Sequence, residues 1–264
     1  MSPDPLPNEI FGLDASFLQA KSALFLDLDG TLIDIAQTPQ GVVTPPGLVH
    51  LLARLSKVLD GALAIVTGRP IADVDRLLFP LRPRAAGVHG AEIRAEVDGD
   101  VQLIAAKLDP WLVSAVNDIA DLDPGIIVEP KGASIAVHYR LAEDEGSAIE
   151  QRLRGLVPEG PHGVEMRPGR KVAELIDRQV SKGAALNSFM QKPPFADRRP
   201  IMIGDDRTDL SAFAAAERLG GKSLRVAGEF FGREAADFGG TAEVRQFLSA
   251  LADVIAASKG ESSS

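Results

Sequence analysis

Cysteine is missing from all 264 residues, which excludes disulfides, thiolate catalysis and cysteine-ligated zinc and leaves the redox compartment open. Positive charge is in deficit. There are 28 Lys and Arg against 37 Asp and Glu, for a formal net charge of −9, which argues against a general nucleic-acid or anionic-membrane surface. No apolar run approaches membrane-spanning length, and Met1 to Ile10 lacks the serial basic, apolar and cleavage-site regions of a signal peptide. A soluble cytoplasmic protein, with no nucleic acid and no membrane as partner, is therefore expected. Repeats at solenoid periods are also absent. Aromatics are scarce, at 5% of residues within a hydrophobic share of 45%. That Ala/Leu/Val-rich balance suits helices packed on a buried parallel sheet, in one large or two modest domains.

The chemistry gathers around Leu24–Leu32. An apolar run that reads as a buried strand, Ala23 to Leu28, ends at Asp27 and Asp29, followed by Gly30 and Thr31. Alternation along a strand sends both carboxylates to one side, at the edge where open α/β sheets collect ligands. Such a pair repels itself unless a cation or a shared proton intervenes, and Mg²⁺ favours oxygen ligands. An isolated Asp-x-Asp-Gly is more often a plain turn, so the weight rests on partners further along. Ala62 to Val66 reads as a second buried strand running into Thr67, Gly68 and Arg69. Pro70 then opens a helix, Ile71 to Leu78, whose free amides suit an anion. Lys182 follows Ser181 at another helix start, where an unneeded cation would oppose the helix dipole. Ile201 to Ile203 reads as a late strand ending in Gly204, Asp205, Asp206 and Asp209, more acids than an N-cap needs.

Between these pieces the rhythm changes. The first part reads βαβαβ plus a hairpin from Ile93 to Ile104 turning at Asp98-Gly99, after a loose leader to Asp14 and a short helix at Ala15 to Ala20. Residues 108–176 then read as helix, two strands, helix, two strands. From Ser181 the α/β alternation resumes, ending in a helix from Thr241 to Ala257 and a disordered tail from Lys259. The expected architecture is an α/β, Rossmann-like, doubly wound parallel sheet formed by residues 1–107 and 177–264. An α+β cap of residues 108–176 is inserted into it and expected to close over it.

Taken together, Asp27-Leu28-Asp29-Gly30-Thr31, Thr67-Gly68-Arg69, Lys182 and Gly204-Asp205-Asp206 resemble the four ordered motifs of the haloacid dehalogenase superfamily of phosphotransferases. The resemblance implies that Asp27 attacks phosphorus to form an aspartyl-phosphate, and that Asp29 acts as acid and then as base. It also implies Mg²⁺ held by Asp27, Asp29 through its main-chain carbonyl, and Asp205, with Thr67 and Lys182 on the phosphoryl oxygens. Asp206 and Asp209 would orient the metal shell and Lys182.

More narrowly, Gly87–Arg94, Glu129–Gly132, Val137–Arg140, Gly169–Val172 and Gly204–Asp209 resemble the trehalose-6-phosphate phosphatase family. This implies substrate contacts by Gly68, Arg69 and His89 from the core and by Glu129, Lys131, Arg140, Arg170 and Glu174 from the cap, with the glutamates on the distal glucose. His138 and Tyr139 would pack and position Arg140. Glu165, in Glu165-Met166-Arg167-Pro168, competes with Glu174 for the second glutamate's place. Two other functions fit the same motifs: a phosphatase for a different sugar phosphate, and a non-catalytic sugar-phosphate sensor. A monomer is expected.

Overall fold

The structure is a computed structural model that describes residues 9–10, 13–14, 21–36, 38, 41–157, 163–169 and 171–261. Strands β1 (Glu9–Ile10) and β2 (Leu13–Asp14) pair antiparallel where the sequence suggested only a loose leader. The expected helix at 15–20 and Arg170 lie outside the described residues.

Strand β3 (Ser22–Leu26) is buried at every position, as a strand covered on both faces must be. Helix α1 (Leu48–Val58) follows, burying Leu48, Leu52 and Leu55. Next come β4 (Leu63–Val66), α2 (Ile71–Leu77), β5 (Arg84–Gly87) and the short strands β6 (Glu92–Arg94) and β7 (Gln102–Leu103). The hairpin is looser than the Asp98-Gly99 signal suggested, because Glu92 already pairs with Leu103 and residues 95–101 form the connection. Its backbone is tied sideways instead: Arg84 Nε donates to the Ala95 carbonyl at 3.0 Å and the Asp98 amide to the Arg82 carbonyl at 3.1 Å.

The inserted stretch has the expected order: α3 (Pro110–Asn117), β8 (Ile127–Pro130), β9 (Ser134–His138), α4 (Gly146–Leu156), β10 (Val164–Gly169) and β11 (Val172–Asp177). Its strands form a separate antiparallel sheet, ordered β10-β11-β9-β8. Helix α3 packs on β8 and β9, and α4 on β10 and β11. Leu112, Val116, Ile135, Val137, Ile149, Leu153 and Leu175 give this sheet its own core.

The chain returns through α5 (Lys182–Met190), β12 (Arg199–Gly204), α6 (Leu210–Arg218), β13 (Lys222–Arg225) and α7 (Thr241–Glu261). The last helix runs into the tail expected to be disordered; residues 262–264 are outside the description. The main sheet is ordered β13-β12-β3-β4-β5-β6-β7, parallel from β13 to β5 and antiparallel beyond. From β3 the chain builds outward through β4 and β5 on one side and later through β12 and β13 on the other. The crevice at the carboxyl ends of β3 and β12 is thus the topological switch point of a doubly wound sheet. A small cluster of Val88, Ala91, Ala133, Ile176 and Val180 packs the antiparallel sheet against the end of β5.

Candidate active site

Asp27 is the first residue past β3, and its amide still bonds the Ile203 carbonyl at 3.0 Å, which fixes it beside β12. Lys182, the first residue of α5, turns inward. Its Nζ donates to Asp27 Oδ1 at 2.6 Å and to Asp209 Oδ1 at 2.7 Å. Asp209 Oδ2 accepts the amides of Asp205 at 3.1 Å and Asp206 at 3.0 Å, so both of its oxygens are engaged. Thr31 Oγ1 donates to Asp27 Oδ2 at 3.3 Å. The cationic helix start that the dipole disfavours is thereby explained, because the ammonium serves two buried carboxylates rather than solvent.

Asp27, Asp205 and Asp209 bring one oxygen each within 4.8 Å of one another. Burial, with Asp209 and Asp29 adding to it, pushes the Asp27 carboxyl up to about 7 against the pull of Lys182. Burial and the neighbouring Asp27 and Asp209 push Asp205 up to about 9. Asp205 Oδ1 is buried without any hydrogen-bond partner. An unpartnered, buried carboxylate oxygen in such a cluster fits a hard divalent cation that takes oxygen ligands. Asp209 takes three hydrogen bonds, from Lys182 and two amides, whereas Asp27 takes two and Asp205 Oδ1 none, so Asp27 and Asp205 offer an ion the more open oxygens. Gly30 is required here. It adopts φ +79°, and a Cβ on it would lie 2.1 Å from Asp205 Oδ2.

These raised carboxyls set a sign for stability. Between 3.8 and the folded values of about 7 and about 9, the folded chain holds protons that the unfolded chain has released. Metal-free stability is therefore present in full below 3.8 and lost as pH rises through the folded values. The melting temperature of chelator-treated protein should fall across this window, and a saturating divalent ion should raise it more at pH 8 than at pH 5. Equal stabilisation at both, read by thermal denaturation, would remove the ion from this cluster.

Asp29 lines the same cavity but pairs with Arg69, from the loop after β4, rather than with Lys182. Arg69 grips it with two prongs, Nε to Oδ2 at 2.6 Å and Nη2 to Oδ1 at 2.8 Å. Burial opposes the Arg69 charge, but Asp29, with Asp73 and Glu129, outweighs it and raises its pKa. The loop that carries Arg69 is anchored by the Thr67 amide to the Ala86 carbonyl and by the His89 amide to the Thr67 carbonyl, each 2.9 Å. Gly68 lets the His89 ring come close, since a Cβ there would meet Cε1 at 2.6 Å.

From the antiparallel sheet, Glu129, Lys131, His138 and Arg140 line a cavity of about 200 Å³ together with Asp27, Thr67 and Lys182. Glu129 Oε2 lies 2.8 Å from His138 Nε2, within hydrogen-bond distance. Burial raises the Glu129 pKa, but the His138 contact and Lys131 more than offset it and hold it low. Glu174 sits differently. It is 6% exposed and forms no part of the cavity wall. Ser134 Oγ donates to its Oε1 at 2.6 Å, Lys131 Nζ lies 3.4 Å from the same oxygen, and His89 Nε2 is 2.8 Å from Oε2. Burial would raise its pKa; Lys131 and His89 outweigh burial and hold it far below the usual range. Lys131 Nζ also reaches the Gly68 carbonyl at 3.1 Å. Glu165 instead pairs with Arg167 at 2.6 Å and reaches neither Lys131 nor His89.

Two things were not legible in single-residue terms. Ser134 carried no signal of its own, because its role follows from cross-strand pairing of Glu174 with Ala136 on the neighbouring strand. Glu92 and Arg94, part of the family-like stretch, serve the scaffold. Glu92 Oε2 accepts the Ile71 amide at 2.7 Å at the start of α2, and the fully buried Arg94 forks onto Asp75 at 2.6 and 2.8 Å.

Comparison with known proteins places the whole chain rather than single residues. The family model described as trehalose-phosphatase matches residues 25–237. A Sinorhizobium fredii protein named a probable trehalose-phosphate phosphatase is 43% identical over 226 residues, covering 81% of this chain and 83% of that one. The trehalose-6-phosphate phosphatase of Escherichia coli K12 is 38% identical over 218 residues, 79% of each chain. The solved C-terminal domain of a Candida albicans trehalose-6-phosphate phosphatase superposes with a TM-score of 0.75 at 21% identity, over 90% of this chain and 94% of that one, and shows the shared fold.

Proposed function

The chain belongs to the trehalose-phosphatase family, and from that premise we propose that it hydrolyses trehalose 6-phosphate to trehalose and inorganic phosphate. The observation that carries the reading is the buried Lys182 bridge between Asp27 and Asp209, set beside the unpartnered Asp205 oxygen. A carboxylate so placed serves as a nucleophile toward phosphorus rather than as a surface charge.

In this mechanism an Asp27 oxygen attacks the phosphorus, and the bond to the sugar oxygen breaks as Asp29 delivers a proton to it. Asp29 then takes a proton from water, which attacks the phosphorus of the aspartyl-phosphate, releasing phosphate and restoring Asp27. Lys182 and Thr67 hold the other phosphoryl oxygens. Arg69 occupies both Asp29 oxygens in this structure, so Asp29 must turn from it to reach the leaving oxygen, and the released guanidinium is then free to meet the ester. Asp27, Asp205 and the main-chain carbonyl of Asp29 would hold Mg²⁺, whose charge lets an anionic nucleophile approach an anionic ester.

We assign the core to residues 1–107 and 177–264 and the cap to 108–176, with Glu129, Lys131, Arg140 and Arg170 recognising the sugar, Glu174 acting through Lys131 and Gly68 and His89 supporting the junction. Glu174 is favoured over Glu165 because it shares Lys131 with the cavity. A monomeric cytoplasmic enzyme is the working assignment; among the described residues no helix is long and apolar enough to cross a membrane. Phosphate release across a panel of sugar phosphates tests the substrate. Trehalose 6-phosphate should be turned over at least tenfold faster, by kcat/KM, than glucose 6-phosphate or sucrose 6-phosphate, roughly the worth of one charge-assisted hydrogen bond. Equal turnover would assign another sugar, and binding without turnover would make the protein a sensor.

A further inference from the structure

Beside the reaction cavity lies a second one that the mechanism above does not use. It measures about 370 Å³ against about 200 Å³, and the two share His89, Lys182 and Thr208 as a common wall. Their charges differ. Five carboxylates (Asp27, Asp29, Glu129, Asp205 and Asp206) line the first cavity against four cations (Arg69, Lys131, Arg140 and Lys182), whereas no carboxylate lines the second. In their place stand Arg167 of β10 and Arg207, which follows Asp206.

The two arginines are available to different degrees. Arg207 is exposed, and its guanidinium has no hydrogen bond or ion pair among the described residues. Arg167 is held in place by Glu165 on Nε at 2.6 Å and by the carbonyls of Asp177 and Arg178 on Nη2 at 3.5 and 3.3 Å, which leaves Nη1 unengaged. Ser181 Oγ, also on the wall, accepts the Ala184 amide at 3.1 Å, so its hydroxyl proton remains to donate. The unpaired Arg207 guanidinium, Nη1 of the Glu165-held Arg167 and the Ser181 hydroxyl, on a wall without a carboxylate, suit a small oxyanion.

We propose that this cavity receives the inorganic phosphate product once it leaves Asp27, while the disaccharide departs past Glu129 and Arg140. Phosphate is formed as a multiply charged anion where five carboxylates nearly balance four cations, whereas the second wall carries cations alone, and that difference favours its movement past Lys182. Arg167 comes from the antiparallel sheet and Arg207 from the loop after β12, so the seat is complete while the two sheets are docked. Phosphate can then leave before they part. This inference rests on the phosphatase reading.

The test is inhibition by inorganic phosphate, measured on the full chain and on Arg207→Glu and Arg207→Ala, with trehalose 6-phosphate and with p-nitrophenyl phosphate as substrates. The wild type should show mixed inhibition, because phosphate occupies the second cavity while an ester occupies the first. In Arg207→Glu the component that persists at saturating substrate should weaken about tenfold or more, with Arg207→Ala between, and kcat/KM unchanged. Purely competitive inhibition in the wild type, or identical constants in all three proteins, would overturn the proposal. Phosphate titration followed by ³¹P NMR should find two sites in the wild type and one in Arg207→Glu; one site in both has the same overturning force and needs no turnover. If only the aryl ester reacts, the sugar assignment fails while the phosphate seat is still decided.

Discussion

Asp27→Asn should lower kcat on trehalose 6-phosphate by on the order of 10⁵-fold, the scale seen when a covalent nucleophile is removed from an otherwise intact site. The protein should nevertheless fold. Without an ion, Asp27, Asp205 and Asp209 share one ammonium, that of Lys182, so neutralising one carboxyl relieves repulsion instead of stranding a charge. Asn keeps the shape of Asp, and Lys182 keeps Asp209 at 2.7 Å. The expected pattern is therefore lost turnover, a melting temperature equal to or above that of the metal-free wild type, and a much smaller rise on adding Mg²⁺. Assays of phosphate release and thermal unfolding on the same sample check all three. Turnover within tenfold of the wild type would remove Asp27 from the covalent role, whatever the stability data showed.

Why this carboxylate could be picked out in the sequence, and others not, has a physical basis. Motifs at strand ends are local. Asp27 and Asp29 follow β3, Thr67 follows β4 and Asp205 follows β12, and parallel pairing of those strands brings them to one edge. Hydrophobic runs bounded by Gly and Asp carry that information. The α+β order of the insertion was equally visible in the alternation of apolar periods. Pairings across elements were not. The Arg69 fork on Asp29 depends on how two adjacent loops turn, and in isolation each residue read as facing a ligand rather than the other. Glu174 is the clearer case. Its charge on a predicted strand suggested a ligand contact, yet its neighbours are Ser134 across the sheet and His89 from the turn after β5. Only the packing of one sheet against the end of the other sets that arrangement, and no period in either segment encodes it.

Lys182→Met should have the opposite effect on stability and a comparable effect on rate. Lys182 is 3% exposed, and both of its partners are buried. Burial works against its charge, but Asp209 and Asp27 outweigh burial and hold its pKa above the ordinary lysine value. Methionine fills much of the same volume and supplies no charge, leaving three buried carboxylates with no cation among them. Breaking a buried pair from one side costs about 3–5 kcal/mol, a large part of the stability of a domain. Mg²⁺ should recover some of it by meeting Asp27 and Asp205, whereas Asp209, whose other oxygen holds the Asp205 and Asp206 amides, keeps an uncompensated charge. Lys182→Arg would preserve the charge but spread it over a planar fork that cannot reproduce one nitrogen at 2.6 and 2.7 Å from two carboxylates, so activity should fall with a smaller loss of stability. The decisive comparison is the double variant. If the ammonium acts by neutralising these acids, adding Asp27→Asn to Lys182→Met should return part of the lost stability, a coupling of the sign that double-mutant cycles detect between contacting charges. Additive denaturation free energies across the four proteins would mean that Lys182 contributes packing rather than charge, and the electrostatic account of the site would have to be abandoned.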